Sequence, residues 1–216
     1  MQAHSQLRFF GIIGLFGAGL FILSSLFHPT TFNPWNSLGT YQKVSEHHFW
    51  ITDHILILVG LTCWLLALIV GNHFLTRHHS FSQIGACIMV IALSIWVIVL
   101  ILEIGIVPTL TKAISHPLEK LMADWFIVFG FSLFAGYIAF IFIWLGVLTY
   151  SIAIDSKGLP LWFKYFGITS GITGVIGIII GLLMIDFVPF ILAFTSGPPF
   201  IWTILFIWFM VKKNEG

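Results

Sequence analysis

Charged residues are scarce in this chain of 216 residues. Lysine, arginine, aspartate and glutamate together make up 8% of the sequence, whereas hydrophobic residues make up 59% and the mean hydropathy is +1.06. A soluble globule of this size could not bury so much apolar surface. The composition therefore predicts an integral membrane protein whose main partner is the lipid bilayer, and it excludes a soluble enzyme.

Three other features are missing. The net charge of +1 provides no basic stripe for binding nucleic acid, and the chain has only two cysteines, too few for a disulfide framework. The sequence contains no nucleophile-elbow, Walker or dinucleotide-binding motif. Nucleic-acid binding is therefore not expected, and no enzyme activity can be assigned from motifs.

Long apolar runs are what the sequence does contain. A helix of about 20 apolar residues spans a bilayer, and charged or proline-containing stretches divide the chain into six such runs. They cover residues 9–27, 49–70, 84–107, 121–154, 164–185 and 187–211. We predict one all-α transmembrane domain over residues 1–216, a polytopic bundle of six helices.

The sixth run has an unusual sequence in its middle. Ser196 is followed by Gly197, Pro198 and Pro199, a pattern in which the serine caps a new helix and proline occupies its first turn. We therefore expect this run to be interrupted between Ser196 and Pro199, with a short interfacial or re-entrant piece before the interruption.

Charge and glycine placement add an orientation and a packing model. Six lysine and arginine residues fall on one side of the predicted membrane and three on the other, which predicts cytoplasmic termini in a bacterial inner membrane.

The first and fifth runs are rich in glycine, so we expect their backbones to approach neighbouring helices closely. The same glycine faces could also pair copies of the chain into a homo-oligomer.

The C-terminal third carries a family resemblance. The pattern Gly158-Leu159-Pro160-x-Trp162-x-x-x-Phe166-Gly167 leads into the glycine-rich run, and a helix from Pro199 to Lys213 follows it. This part resembles small six-helix bacterial membrane proteins of unknown function. The resemblance implies the fold and no catalytic residues.

Ionisable residues inside apolar runs are the best indication of a functional site. Burying such a group in a membrane costs about 2.5 to 3.5 kcal/mol on insertion scales, so each is expected to have a partner. Up-and-down connectivity brings together, at the periplasmic ends of the first four helices, His28, Asp53, His54, Glu103 and Asp124. We predict a pocket there with His54 and Glu103 as its principal contacts.

The residues alone leave several functions open. Histidines with carboxylates suit a divalent metal ion, while His28 and His54 are the pair that could hold haem b or border a quinone pocket. The pocket could instead be a cavity that passes protons, ions or a small solute. In a structural or assembly protein with no ligand, Asp53 would cap its helix and His54 would donate to Glu103 or Asp124. We favour an outward-facing pocket that binds a metal ion or handles a proton-coupled solute.

Overall fold

The computed structural model describes residues 2–29, 37–75, 80–112, 118–155 and 159–212, and within these ranges every regular element is helical. Seven α-helices follow one another in the described chain: α1 (Gln2–Phe27), α2 (Ser37–Ser45), α3 (Trp50–Val70), α4 (Ser80–Lys112), α5 (Leu118–Ala153), α6 (Leu161–Leu183) and α7 (Val188–Lys212). Short 3-10 turns at Gly71–His73 and Ile185–Phe187 follow α3 and α6. Gly158 and Lys213, the first and last residues of the segment that carries the family resemblance, lie outside the described residues.

Six of these helices are long and apolar enough to cross a membrane, namely α1 and α3 to α7. The predicted all-α transmembrane bundle of six helices is therefore confirmed, and the chain is an integral membrane protein. The short helix α2, between α1 and α3, was not predicted because its nine residues are mostly polar.

The predicted interruption between Ser196 and Pro199 is not observed. Helix α7 runs without a break from Val188 to Lys212 with both prolines inside it. Ser196 is not used as a cap, because its Oγ accepts a hydrogen bond from the indole nitrogen of Trp144 at 3.1 Å. Proline has a φ angle that a helix tolerates, and Pro199 is buried, so packing holds the helix together where backbone hydrogen bonds are missing.

The long helices pack in chain order around a closed ring. From α3 to α7 each packs against the next, and α1 packs against both α3 and α7. The centre of the ring is filled by large aromatic side chains that are almost completely buried, including Trp64, Trp144, Trp202 and Phe206. This arrangement places the end of α1 beside the start of α3, where the predicted pocket lies.

Glycine allows α1 and α3 to come into backbone contact. A Cβ atom added at Gly17 on α1 would lie 2.6 Å from the carbonyl oxygen of Gly60 and 2.7 Å from the backbone nitrogen of Trp64, both on α3. The two backbones touch, so no side chain fits between them. Glycine faces on α1 and α6 are thus used for packing within one chain.

We predict that Gly17→Ala lowers the thermal unfolding temperature by several degrees, because α1 must move away from α3 and overpacking costs about 1 to 3 kcal/mol. Gly19→Ala is a matched control, since a Cβ there meets nothing within 4 Å. Because alanine is the better helix former, the control should be unchanged or slightly stabilised. Thermal unfolding of both variants in detergent checks this, and equal melting temperatures would contradict the close-contact interpretation.

Candidate functional site

Four of the five predicted site residues lie at the same end of the bundle. His28 directly follows α1, Asp53 and His54 lie in the first two turns of α3, and Glu103 lies on α4. His54 is completely buried, and Asp53 and Glu103 are 5% and 8% exposed. Helices α1, α3 and α4 therefore bring these groups together, as up-and-down connectivity predicts.

The imidazole of His54 has a defined proton on one nitrogen. Its Nδ1 lies 2.7 Å from the backbone carbonyl oxygen of Trp50, one turn earlier in α3. A carbonyl oxygen can only accept, so Nδ1 carries the hydrogen and donates it. In the neutral ring, Nε2 of His54 therefore has a free lone pair.

The imidazole of His28 is held in the same way. Its Nδ1 lies 2.8 Å from the carbonyl oxygen of Pro29, so this nitrogen is also a donor. The Nε2 of neutral His28 is left with a lone pair, and it lies 3.2 Å from Nε2 of His54. Two lone pairs face each other, and nothing between the two rings can donate in the neutral state.

A carboxylate completes the convergence. An oxygen of Glu103, Oε2, lies 3.1 Å from the same Nε2 atom of His54. The Nε2 atom of His54 thus lies within hydrogen-bonding distance of two other acceptors, Nε2 of His28 and Oε2 of Glu103. Such a group of acceptors is stable when a cation, either a proton or a metal ion, lies among them.

Asp53 provides a second carboxylate nearby. Ligand atoms of Asp53, His28 and His54 all lie within 4.8 Å of one another. The Oδ2 atom of Asp53 is buried without a hydrogen-bond partner. Asp53 does not cap α3, because Phe49 occupies the N-cap position and makes no side-chain cap. A buried carboxylate oxygen with no donor is a further indication that a cation belongs here.

Asp124 does not join the site. Its side chain is exposed on α5, whereas the next residue, Trp125, is completely buried. Successive residues on a helix point about 100° apart, so burying Trp125 turns Asp124 outward. Asp124 was included for its depth in the predicted membrane, and depth does not determine which way a helix faces.

Trp50 is a site residue that the sequence did not single out for this role. Its indole nitrogen donates to the backbone carbonyl oxygen of Glu103 at 2.7 Å and so joins α3 to α4. Its ring also lies against the imidazole of His54, with centroids 4.0 Å apart. The spacing of Trp50 and His54, one helical turn apart, could have indicated this contact.

A cavity of about 380 Å³ adjoins the site. His28, His54 and Glu103 form part of its wall, and most of the rest is apolar. Its volume falls in the range of roughly 300 to 1,000 Å³ that is typical of small-molecule sites. The converging polar groups therefore face a space large enough for a ligand.

Burial keeps His28 neutral. It lowers the pKa of this imidazole from 6.5 to about 4, an effect that His54 reinforces and Glu103 opposes. Below pH 6.5 the unfolded chain binds a proton at His28, while the folded chain binds it only near pH 4. The free energy of unfolding should therefore fall as the pH is lowered through this interval.

We predict that His28→Gln loses less thermal stability than the wild type when metal-free protein is acidified from about pH 7.5 to about pH 5. His54 on α3, Glu103 on α4 and His47 before α3 face His28 and are present in both proteins. Melting curves in chelator-treated detergent solution provide the comparison. Equal losses in the two proteins would show that His28 is not held neutral.

Comparisons with known proteins return no relative. No protein-family model, no curated protein and no solved structure matches this chain. The resemblance to six-helix bacterial membrane proteins of unknown function stays a prediction. The function is therefore argued from the geometry of the site.

Proposed function

We propose that this integral membrane protein binds a divalent transition-metal ion through Nε2 of His28, Nε2 of His54 and the carboxylate of Glu103. The observation that carries the proposal is the approach of two imidazole nitrogens to 3.2 Å, each with its other nitrogen already donating to a carbonyl. Histidine ligands of metals typically have this arrangement, in which the outer nitrogen donates to a backbone or carboxylate oxygen.

The spacing of the three acceptor atoms supports the proposal. Zinc–nitrogen bonds are about 2.0 to 2.1 Å long, so two ligand atoms of a tetrahedral zinc lie about 3.3 Å apart. The distances of 3.2 Å between the histidine nitrogens and 3.1 Å from His54 to Glu103 are close to that value. Both contacts of the His54 Nε2 atom therefore have the spacing expected of two ligands of one zinc ion.

The donor set indicates which metals are suitable. Two imidazoles with one or two carboxylates suit zinc, iron or manganese, whereas soft copper(I) favours sulfur ligands. Asp53 can supply the second carboxylate, since its ligand atom lies within 4.8 Å of those of the histidines. A remaining coordination position would open toward the adjoining cavity, so a small molecule could reach the metal.

Orientation belongs to the same proposal. The excess of lysine and arginine on the side of both termini supports cytoplasmic ends in a bacterial inner membrane. The metal site would then lie on the outer side of that membrane.

We predict that purified wild-type protein binds one equivalent of zinc or cobalt(II), and that His54→Gln and Glu103→Gln each weaken binding by at least about tenfold, because each removes a ligand. Elemental analysis and the visible spectrum of the cobalt protein measure occupancy and geometry. Cobalt serves as a probe because tetrahedral sites give it a distinct absorption.

Two substitutions outside the site serve as matched controls. His73→Gln removes an exposed histidine at the opposite end of α3, and Asp124→Asn removes the exposed acid of α5. Both should bind metal like the wild type. A protein that takes up no metal, or that loses metal equally in controls and site variants, would contradict the proposal.

The contact between His54 and Glu103 also favours a second function, proton transfer. A single proton on Nε2 of His54 would also satisfy the acceptors, because it could be donated to Glu103 at 3.1 Å and shared with His28. A buried imidazolium and carboxylate that exchange a proton are typical of proton-coupled carriers.

For this second function we predict that Glu103→Gln abolishes pH-driven proton uptake into proteoliposomes while the fold is retained, because glutamine cannot accept the proton. A pH-sensitive dye inside the vesicles measures uptake, and Asp124→Asn is the control. Unchanged uptake in Glu103→Gln, or no uptake by the wild type, would exclude proton handling at this pair.

A further inference from the structure

The cavity beside the polar site extends well beyond the histidines. Helices α1, α3, α4, α5 and α7 all contribute to its wall, so the cavity lies between these five helices. On α4 the wall includes Glu103 and Trp96, seven residues apart. Seven residues are two helical turns, or about 10 Å of helix, so the cavity is elongated along the bundle.

Two polar atoms at the deeper part of this wall have no partner. The indole nitrogen of Trp96 and the hydroxyl of Ser132 are buried without a hydrogen bond, and both residues line the cavity. Ser132 is completely buried on α5. The indole N–H can only donate, and the hydroxyl can donate as well. Both residues therefore hold an unused hydrogen-bond donor beside the cavity, which a ligand with an acceptor could satisfy.

The rest of the wall is suited to a flat ring. Five aromatic side chains line the cavity: Phe21, Trp96, Phe129, Tyr137 and Phe140. Aromatic walls stack on planar ligands and exclude water from them. Gly136 lets the indole of Trp96 pack against α5, because a Cβ there would lie 3.3 Å from the ring.

We propose that this cavity binds a planar, membrane-soluble molecule with a carbonyl oxygen, a ligand of the quinone class. The carbonyl oxygen accepts from Trp96 and Ser132, and the aromatic side chains hold the ring. The ligand lies between these donors and the end of the cavity lined by His54 and Glu103. Binding of this ligand depends on the cavity and does not require the metal.

The proposal is tested with menadione as the probe and 2-methylnaphthalene as its analogue without carbonyl groups. Wild-type protein in detergent should bind menadione at least about tenfold more tightly, because the analogue leaves two buried donors unpaired. Isothermal titration calorimetry with micelle blanks measures both affinities. Equal affinities would indicate an apolar occupant such as an acyl chain and would overturn the proposal, as would failure to bind menadione.

Conservative variants identify the donors. Trp96→Phe keeps an aromatic ring but removes the N–H, and it should bring menadione affinity down to that of the analogue. Ser132→Ala should weaken menadione several-fold. Trp208→Phe and Ser94→Ala are matched controls, since both residues are exposed and away from the cavity wall. Unchanged menadione binding in Trp96→Phe would contradict the assignment.

Repeating the titration after treatment with a chelator separates the two proposals. If no metal is ever bound but menadione binds, the proposed metal function fails alone. If metal is bound and menadione is not, the quinone proposal fails alone.

Discussion

His28 and His54 each use Nδ1 to donate to a backbone carbonyl at a helix end, and the rest of the site depends on this constraint. Because each Nδ1 carries the hydrogen, the Nε2 atom of each neutral ring has a lone pair. The two Nε2 atoms lie 3.2 Å apart, and Nε2 of His54 also contacts the carboxylate of Glu103. Three acceptors inside a membrane bundle would repel one another without a positive charge among them. The local backbone geometry is therefore suited to a proton or a metal ion beside these nitrogens, and both proposed functions are based on it.

Helix packing brings these acceptors together. Gly17 lets α1 touch α3, which sets His28 at the end of α1 against His54 in the second turn of α3. Trp50 then joins α3 to α4 through the carbonyl of Glu103. The polar cluster thus forms part of the wall of the aromatic cavity. Metal and apolar ligand would consequently meet at a common boundary.

The spans and the convergence of four ionisable residues could be predicted from the sequence because both follow from simple physics. Apolar length predicts a span, and up-and-down connectivity predicts which ends meet, so His28, Asp53, His54 and Glu103 were found. Rotation of a helix about its axis depends on packing with distant residues, so the outward turn of Asp124 was missed. The continuity of α7 was missed for a related reason, since proline signals describe isolated helices and neighbouring helices override them.

The tautomers of the two histidines test the account most directly. Nitrogen-15 NMR of histidine-labelled, metal-free protein near pH 7, assigned with single glutamine variants, reports which ring nitrogens carry hydrogen. We predict Nδ1–H on both His28 and His54, with the Nε2 signals of both rings shifting when zinc is added. If Nε2 of His28 carries the hydrogen and donates it to Nε2 of His54, the two rings form an ordinary neutral hydrogen bond. That result would contradict the cation site.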